Sequence, residues 1–309
     1  MTTTNSTTPD SAAATSTAPD LASPKLLVGL IGRGIQHSMT PAMQEQEARE
    51  HGLRLHYQLI DLAQPGAGEQ DLAQLVQAVR AIGFSGFNVT FPYKQAIMPL
   101  LDGLSDEARQ IGAVNTVVNV GGRLTGHNTD SSGWAWGFRR ALPEADLSRV
   151  VLLGAGGAGS AVADAALRLG VGQLTVVDID QGRIDALAAR LNEQHGAGRV
   201  GATTDVAAAL EGATGLIHAT PTGMDSSPGL PLPEHLLRPA LWVSEIVYFP
   251  LETALLKAAR ARGCATADGG GMAVGQAVDA FRLFTGKEPD AARIDAHFRA
   301  MIAAKQARS

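Results

Sequence analysis

Val150-Val151-Leu152-Leu153-Gly154-Ala155-Gly156-Gly157-Ala158-Gly159 is the stretch that decides the architecture. Four consecutive apolar residues ending at a glycine read as a short buried strand, and a helix follows to about Leu169. Between them the glycines take the spacing GxGxxG. The first allows a tight turn, the second lets the backbone approach a pyrophosphate, and the third permits close helix–strand packing. The N-terminus of the helix then presents free N–H groups and a positive dipole end to phosphate. Glycines at this spacing also serve ordinary structural turns. The strand before and the helix after favour nucleotide binding by Gly154, Ala155, Gly156, Gly157, Ala158 and Gly159.

Working downstream, residues 174–178 read as the next strand, with Asp178 at its end. A carboxylate about 20 residues beyond the glycine loop can accept hydrogen bonds from an adenosine ribose and would repel a 2′-phosphate. In Asp178-Ile179-Asp180-Gln181-Gly182-Arg183 only Arg183 is basic, whereas an NADP site calls for basic and hydroxyl side chains there. NAD is the expected cofactor; the alternative for Asp178 is a solvated loop acid. A helix over 184–191 and strands over 215–220 and 241–247 complete an α/β series, which favours a doubly wound parallel sheet with helices on both faces.

Upstream, strands are predicted over 26–31, 54–61 and 86–90, with helices over 41–51 and 71–82. Residues 113–120 and 123–129 flank Gly121-Gly122, a hairpin turn. Near the end, Val274, Ala277, Val278, Phe281 and Phe284 fall at helical spacing until Gly286 and Pro289 stop the run. The predicted layout is a disordered tail (1–24), a substrate-binding and catalytic domain (25–127), a dinucleotide-binding domain (128–271) and C-terminal helices (272–309) that return to the first domain. The tail is nearly all Thr, Ser, Ala, Pro, Asn and Asp, too polar to offset its ordering entropy. It has neither a secretory nor a mitochondrial pattern, and no stretch reaches membrane-spanning length, so a cytoplasmic location is expected.

A length of 309 residues suits two domains, and 45% apolar with 18% charged residues is an ordinary globular balance. The formal charge of −5 argues against nucleic acid or an anionic membrane as partner and leaves small molecules as the expected ones. Chain association is expected to stop at a monomer or homodimer. The single cysteine, Cys264, excludes an internal disulfide framework and reads as a buried structural thiol. The eight histidines lack metal-ligand spacing, and no metal is expected.

Three polar islands lie in the front part: Ser38-Met39-Thr40-Pro41, Asn88-Val89-Thr90-Phe91-Pro92-Tyr93-Lys94, and Gly112-Ala113-Val114-Asn115-Thr116 followed by Gly126-His127-Asn128-Thr129-Asp130. Lys94 follows a buried-looking strand and a proline, where loops carry function. Near a carboxylate such as Asp130 it could act as acid or base on an alcohol; spacing alone does not bring the two together, and from the residues alone a solvated lysine at a helix start is the better reading. Thr40 could simply cap the helix entered through Pro41, Asp130 could cap the helix starting near Ser131, and Gln276 could cap a helix or face solvent.

These islands, with Asp268-Gly269, Gln276 and Phe281-Arg282-Leu283-Phe284-Thr285-Gly286, resemble the shikimate dehydrogenase family, most closely its NAD-dependent quinate/shikimate dehydrogenase subgroup. The similarity runs from Gly29 to Gly286. It implies that Lys94 and Asp130 are the catalytic pair, that Asn115 and Gln276 bond ring hydroxyls, and that Ser38 and Thr40 hold the ring carboxylate with Thr90 nearby. Tyr248 would border the substrate pocket, and Ala155, Asp178, Arg183, Thr220, Val247 and Gly271 would line the cofactor. The implied reaction is oxidation of quinate or shikimate to the 3-dehydro ketone, Lys94 taking the hydroxyl proton as hydride passes to NAD. Oxidation should then strengthen as pH rises. Thr40 stands where biosynthetic members usually carry a second serine, and their Asn-Arg-Thr segment for NADP is missing. Alternatives are a biosynthetic NADP-dependent shikimate dehydrogenase and a non-catalytic sensor of nucleotide or quinate.

Overall fold

A computed structural model describes residues 25–63 and 71–307, so the expected disorder of residues 1–24 lies outside the described residues. The front sheet contains β1 (Lys25–Gly32), β2 (Arg54–Asp61), β3 (Gly86–Val89), β4 (Gly103–Leu104), β5 (Thr116–Val120) and β6 (Arg123–His127) in the order β2-β1-β3-β5-β6-β4. It is mixed. The strand pairs β2/β1 and β1/β3 are parallel, while β3/β5 and β5/β6 are antiparallel. The β5–β6 hairpin turns at Gly121 and Gly122, both with positive φ, as a two-residue hairpin requires. Helices α1 (Thr40–Glu50), α2 (Leu72–Ile82) and α3 (Asp106–Ile111) belong to this half, and α4 (Asp130–Ala141) leads out of it.

The second sheet is wholly parallel. Its strands β7 (Arg149–Leu153), β8 (Gln173–Val177), β9 (Val200–Thr203), β10 (Gly215–His218), β11 (Trp242–Glu245) and β12 (Thr266–Ala267) run in the order β12-β11-β10-β7-β8-β9. The order reverses between β7 and β10, and ligands of such sheets bind at the carboxyl ends of the strands beside that reversal. Helices α5 (Gly157–Arg168), α6 (Gln181–His195), α7 (Val206–Leu210) and α8 (Ala254–Ala261) intervene, and α9 (Gly270–Thr285) and α10 (Ala291–Gln306) close the chain. Among the described residues no helix is long and apolar enough to cross a membrane.

Two helices join the halves. On α4, Trp134 and Phe138 stack at 4.8 Å and enter the core of the second sheet, where the Trp134 indole N–H donates to Ser244 Oγ at 3.0 Å. On α9, Ala280 and Phe284 join Val28, Leu30 and Tyr57 on the front sheet. The two helices meet backbone to backbone at glycines. A Cβ on Gly137 would lie 2.8 Å from Gly271 Cα, and one on Gly275 would lie 2.7 Å from Gly133 Cα. The expected return of the C-terminal helices to the front half is thus made through α9, and through α10 against α1 by way of Arg293 and the buried Glu47. On the far side α3 meets the second half through Gln110, which bonds Arg168 at 2.7 Å and Gln194 at 2.9 Å.

Several elements differ from the reading of the sequence. Helix α6 begins at Gln181, capped by the Asp180 carboxylate, and runs to His195, well past the predicted span. The strand β9 was not predicted, because Val200-Gly201-Ala202-Thr203 is a short edge segment without an apolar run. Cys264 is buried with its Sγ on the Arg238 carbonyl, and burial pushes its thiol up.

Candidate active site

The loop after β3 carries Lys94 into the space between the two sheets. Thr90 N–H donates to Ile31 O, Tyr93 N–H to Thr90 O, and Val114 N–H to Lys94 O, so both sides of the loop are pinned. Asp130 opens α4, where the helix dipole favours a negative group. It does not cap that helix. The Asn128 side chain does so, accepting from Asp130 N–H at 3.0 Å and Ser131 N–H at 3.3 Å. The carboxylate of Asp130 is therefore free for other partners. Its Oδ2 accepts from Lys94 Nζ at 2.5 Å and its Oδ1 from Asn115 Nδ2 at 2.9 Å. The carboxylate is 5% exposed and the lysine side chain 14%, so the pair is largely shielded from water yet reachable.

Asn115 is fully engaged. Its amide nitrogen also donates to Thr129 Oγ1, and its oxygen accepts from Thr129 N–H and Thr116 Oγ1. Beside this lies a second buried chain, in which Tyr57 donates to Asn88 Oδ1 at 2.7 Å and Asn88 donates to Thr116 Oγ1 at 2.9 Å. Burial raises the Tyr57 phenol well above its ordinary range, with Tyr248 adding to the effect. Burial of its phenol end also raises Tyr248, against a hydrogen bond with Ser38. Both tyrosines therefore remain protonated donors at neutral pH. Ser38 Oγ also accepts from Thr40 N–H at 3.3 Å, and Thr40, which is buried, lies inside α1 rather than at its cap. Gln276 stands mid-way along α9 with its amide on Ala273 O at 2.9 Å. Its backbone packs on Gly133, one turn along from Asp130.

The glycine loop faces the same space. A Cβ on Gly157 would lie 3.0 Å from Lys94 Cβ, so the lysine abuts the start of α5. Gly154 takes φ +104°, a conformation that favours glycine, and a Cβ on Gly159 would sit 2.0 Å from Gly154 O. In front of Gly156 lies open space, with no atom within 4 Å of a Cβ built there. Backbone that approaches this closely on one side and stays bare on the other fits a dinucleotide pyrophosphate at the start of α5. Asp178 braces the loop, accepting from Ala155 N–H at 2.8 Å through Oδ2 and from Asp180 N–H at 3.2 Å through Oδ1. Arg183 is mostly exposed and pairs with Asp180 at 3.3 Å. Thr220 follows β10, and its Cγ2 would meet a Cβ on Gly154 at 3.1 Å. The amide of Val247 donates to Glu245, and Gly271 lies in the α4–α9 seam.

Models of the shikimate dehydrogenase substrate-binding domain match residues 30–117, of the ThiF family residues 140–203, and of the shikimate 5′-dehydrogenase C-terminal domain residues 269–296. A shikimate dehydrogenase (NADP(+)) of Streptomyces avermitilis is 57% identical over 87% of this chain and 93% of its own length. The chain belongs to the shikimate dehydrogenase family. Its similarity extends to a quinate/shikimate dehydrogenase (NAD(+)) of Corynebacterium glutamicum, 49% identical over 87% of this chain and 96% of the relative. The solved structure of quinate dehydrogenase from Corynebacterium glutamicum in complex with NAD matches with a TM-score of 0.82 at 47% identity, covering 89% of this chain and 99% of that one.

Within this shikimate dehydrogenase family member the structure brings Lys94, Asp130 and Asn115 into one hydrogen-bonded group, and Ser38 to Tyr248. Gln276 is not hydrogen-bonded to that group; its side-chain amide donates within its own helix, to Ala273 O. The reading of the sequence gave no part to Tyr57, Asn128, His218 or Glu245. A polar tip at the centre of β2 was the available signal for Tyr57, and the residue two places before an acid at a helix start was the signal for Asn128.

Proposed function

We propose that this chain is an NAD-dependent dehydrogenase that oxidises quinate and shikimate to their 3-dehydro ketones, with Lys94 and Asp130 as the acid–base pair. The observation that carries it is the 2.5 Å contact of Lys94 Nζ and Asp130 Oδ2 on the wall of the cleft that the glycine loop also faces. Bound NAD supplies the acceptor for the hydride that leaves the alcohol carbon.

The chain's own groups do the rest. Lys94, as a neutral amine, takes the hydroxyl proton; Asp130 stabilises the ammonium so formed and aims it. Asn115 and Thr129 hold Asp130 in register. Ser38 and Thr40, at the start of α1, bind the ring carboxylate where the helix dipole assists, and Tyr248 orients Ser38. Gln276 releases the Ala273 carbonyl to meet a ring hydroxyl. Asp178 and Asp180 set two carboxylates at the end of β8, which favours a free ribose over a 2′-phosphate. The division of labour proposed is a catalytic unit over 25–127, a cofactor unit over 128–271 and a returning C-terminal unit over 272–309.

Initial rates with quinate and shikimate, each with NAD and NADP, test the reading. NADH formation from both substrates is expected, with kcat/KM for NAD exceeding that for NADP. A second reading, an NADP-linked shikimate dehydrogenase, is favoured by the 57% identity to a relative so named. Preference for NADP with turnover of shikimate alone would establish it in place of the first.

A further inference from the structure

His218 and Glu245 end the adjacent strands β10 and β11 as registered partners, and both side chains are 0% exposed. A buried carboxylate and imidazole can often be replaced by apolar side chains at little or no loss of stability, so stability alone does not explain these two. Its position is at the carboxyl edge of the sheet, where the cofactor site lies.

We infer that His218 and Glu245 are positioning residues for the dinucleotide: they fix the Thr220 hydroxyl as a hydrogen-bond acceptor facing it. This rests on the reading above that Thr220 lines the cofactor. The hydrogen-bond partners of the carboxylate support the inference. Glu245 Oε1 accepts from His218 Nδ1 at 2.8 Å and from Val247 N–H at 3.0 Å, while Oε2 accepts from Thr253 Oγ1 at 3.1 Å. A carboxylate with these three donors commits Nδ1 of the imidazole as an N–H. In the neutral imidazole the other ring nitrogen, Nε2, then keeps its lone pair, and it lies 2.5 Å from Thr220 Oγ1. The threonine proton is drawn to it.

A hydroxyl has one proton and two lone pairs. In Thr220 the proton goes to His218, and Thr222 N–H donates to one lone pair at 3.3 Å. The remaining lone pair accepts from a donor on the dinucleotide, a ribose hydroxyl or the carboxamide NH2. The same carboxylate grips Val247, the residue before Tyr248, so one buried pair sets the loops on both sides of the cofactor edge. It also reaches the start of α8, because Thr253 caps that helix through Leu256 N–H.

The test is a double-mutant cycle in the full-length enzyme, read by NADH fluorescence titration and by steady-state kinetics. Asparagine at 218 keeps a donor for Glu245 but removes the partner of Thr220. His218→Asn and Thr220→Val are each expected to raise the NADH Kd and the KM for NAD roughly tenfold, the loss of one neutral hydrogen bond, with kcat much less affected. The double variant should be no weaker than either single one, and Thr220→Ser should restore wild-type affinity. Losses that multiply to about a hundredfold, or a weakened Thr220→Val beside a wild-type His218→Asn, would overturn the inference while leaving the cofactor placement intact. Wild-type affinity in Thr220→Val would overturn the placement of Thr220 itself. Should His218→Asn fail to fold, 15N spectra of histidine-labelled wild type decide: an unprotonated Nε2 at neutral pH supports the assignment, and a protonated one refutes it.

Discussion

Replacing Asp130 with asparagine changes neither its size nor its shape, which makes Asp130→Asn the sharpest test of the catalytic pair. Both carboxylate oxygens now accept, one from Lys94 at 2.5 Å and one from Asn115 at 2.9 Å. An amide offers one acceptor and one donor, so whichever way it turns, one contact becomes donor against donor. The charge is lost as well. Unit charges 2.5 Å apart attract by ~7 kcal/mol at an effective dielectric constant of about 20, before desolvation is subtracted. Breaking such a pair by removing one partner costs about 3–5 kcal/mol, and because Lys94 keeps 14% exposure the lower end applies. Of this, ~3 kcal/mol in the transition state is roughly a 150-fold loss in rate. Asp130→Asn is therefore expected to lower kcat for shikimate oxidation by about two orders of magnitude, with KM for shikimate changed far less. Stopped-flow single turnovers with saturating NAD separate chemistry from product release. A kcat within threefold of wild type, or a loss confined to KM, would refute the reasoning.

Gly159→Ala places a Cβ 2.0 Å from the Gly154 carbonyl, so it should weaken NADH binding more than tenfold in a fluorescence titration; wild-type affinity would show that the loop has room to spare. Asp180→Ser removes the acid paired with Arg183 and should raise the ratio of kcat/KM for NADP to that for NAD at least roughly tenfold; an unchanged ratio removes Asp180 from cofactor choice. Burial raises the carboxyl of Glu107, with the Ser131 hydroxyl and Arg168 opposing. A folded pKa above the unfolded one gives stability that is present in acid and lost as pH rises through the folded value. Glu107→Gln should accordingly melt above wild type at neutral pH, with the gap closing in acid, and equal melting temperatures throughout would contradict the shift.

The glycine loop and the strand leading into it were legible because their signals are local: an apolar run, then glycines whose spacing follows from phosphate contact and helix packing. The span of β2 was likewise readable, since Arg54–Asp61 is bounded by a glycine-ended helix and a loop. The ends of β8 and β11 were harder: the Asp178 carboxylate takes the Ala155 amide of the glycine loop, and the Val247 amide turns back to the Glu245 side chain. Asp130 shows the limit at the site. Spacing could not distinguish a capping acid from a catalytic one; that depends on Asn128 taking the cap, a contact set by how the chain turns between β6 and α4. The tie between Lys94 and Asp130 joins two loops with no periodic pattern between them, and the family resemblance carried what spacing did not. The buried pair of His218 and Glu245 was invisible because two polar residues at strand ends look like ordinary loop entrances until the sheet sets them side by side.

Helices touching through bare backbone have no slack. Where Gly133 and Gly137 press on Gly275 and Gly271, neither helix can slide or roll without a collision, and the seam locks one against the other. Asp130 and Gln276 stand on these two helices, so the seam sets the spacing between them. The opposite rim is tied differently, by polar bonds from Arg168 and Gln194 to Gln110 and by the buried apolar contact of Ile111 and Ala113 with Ala161. A molecule built this way holds its acid and its amide at one spacing through backbone contact alone.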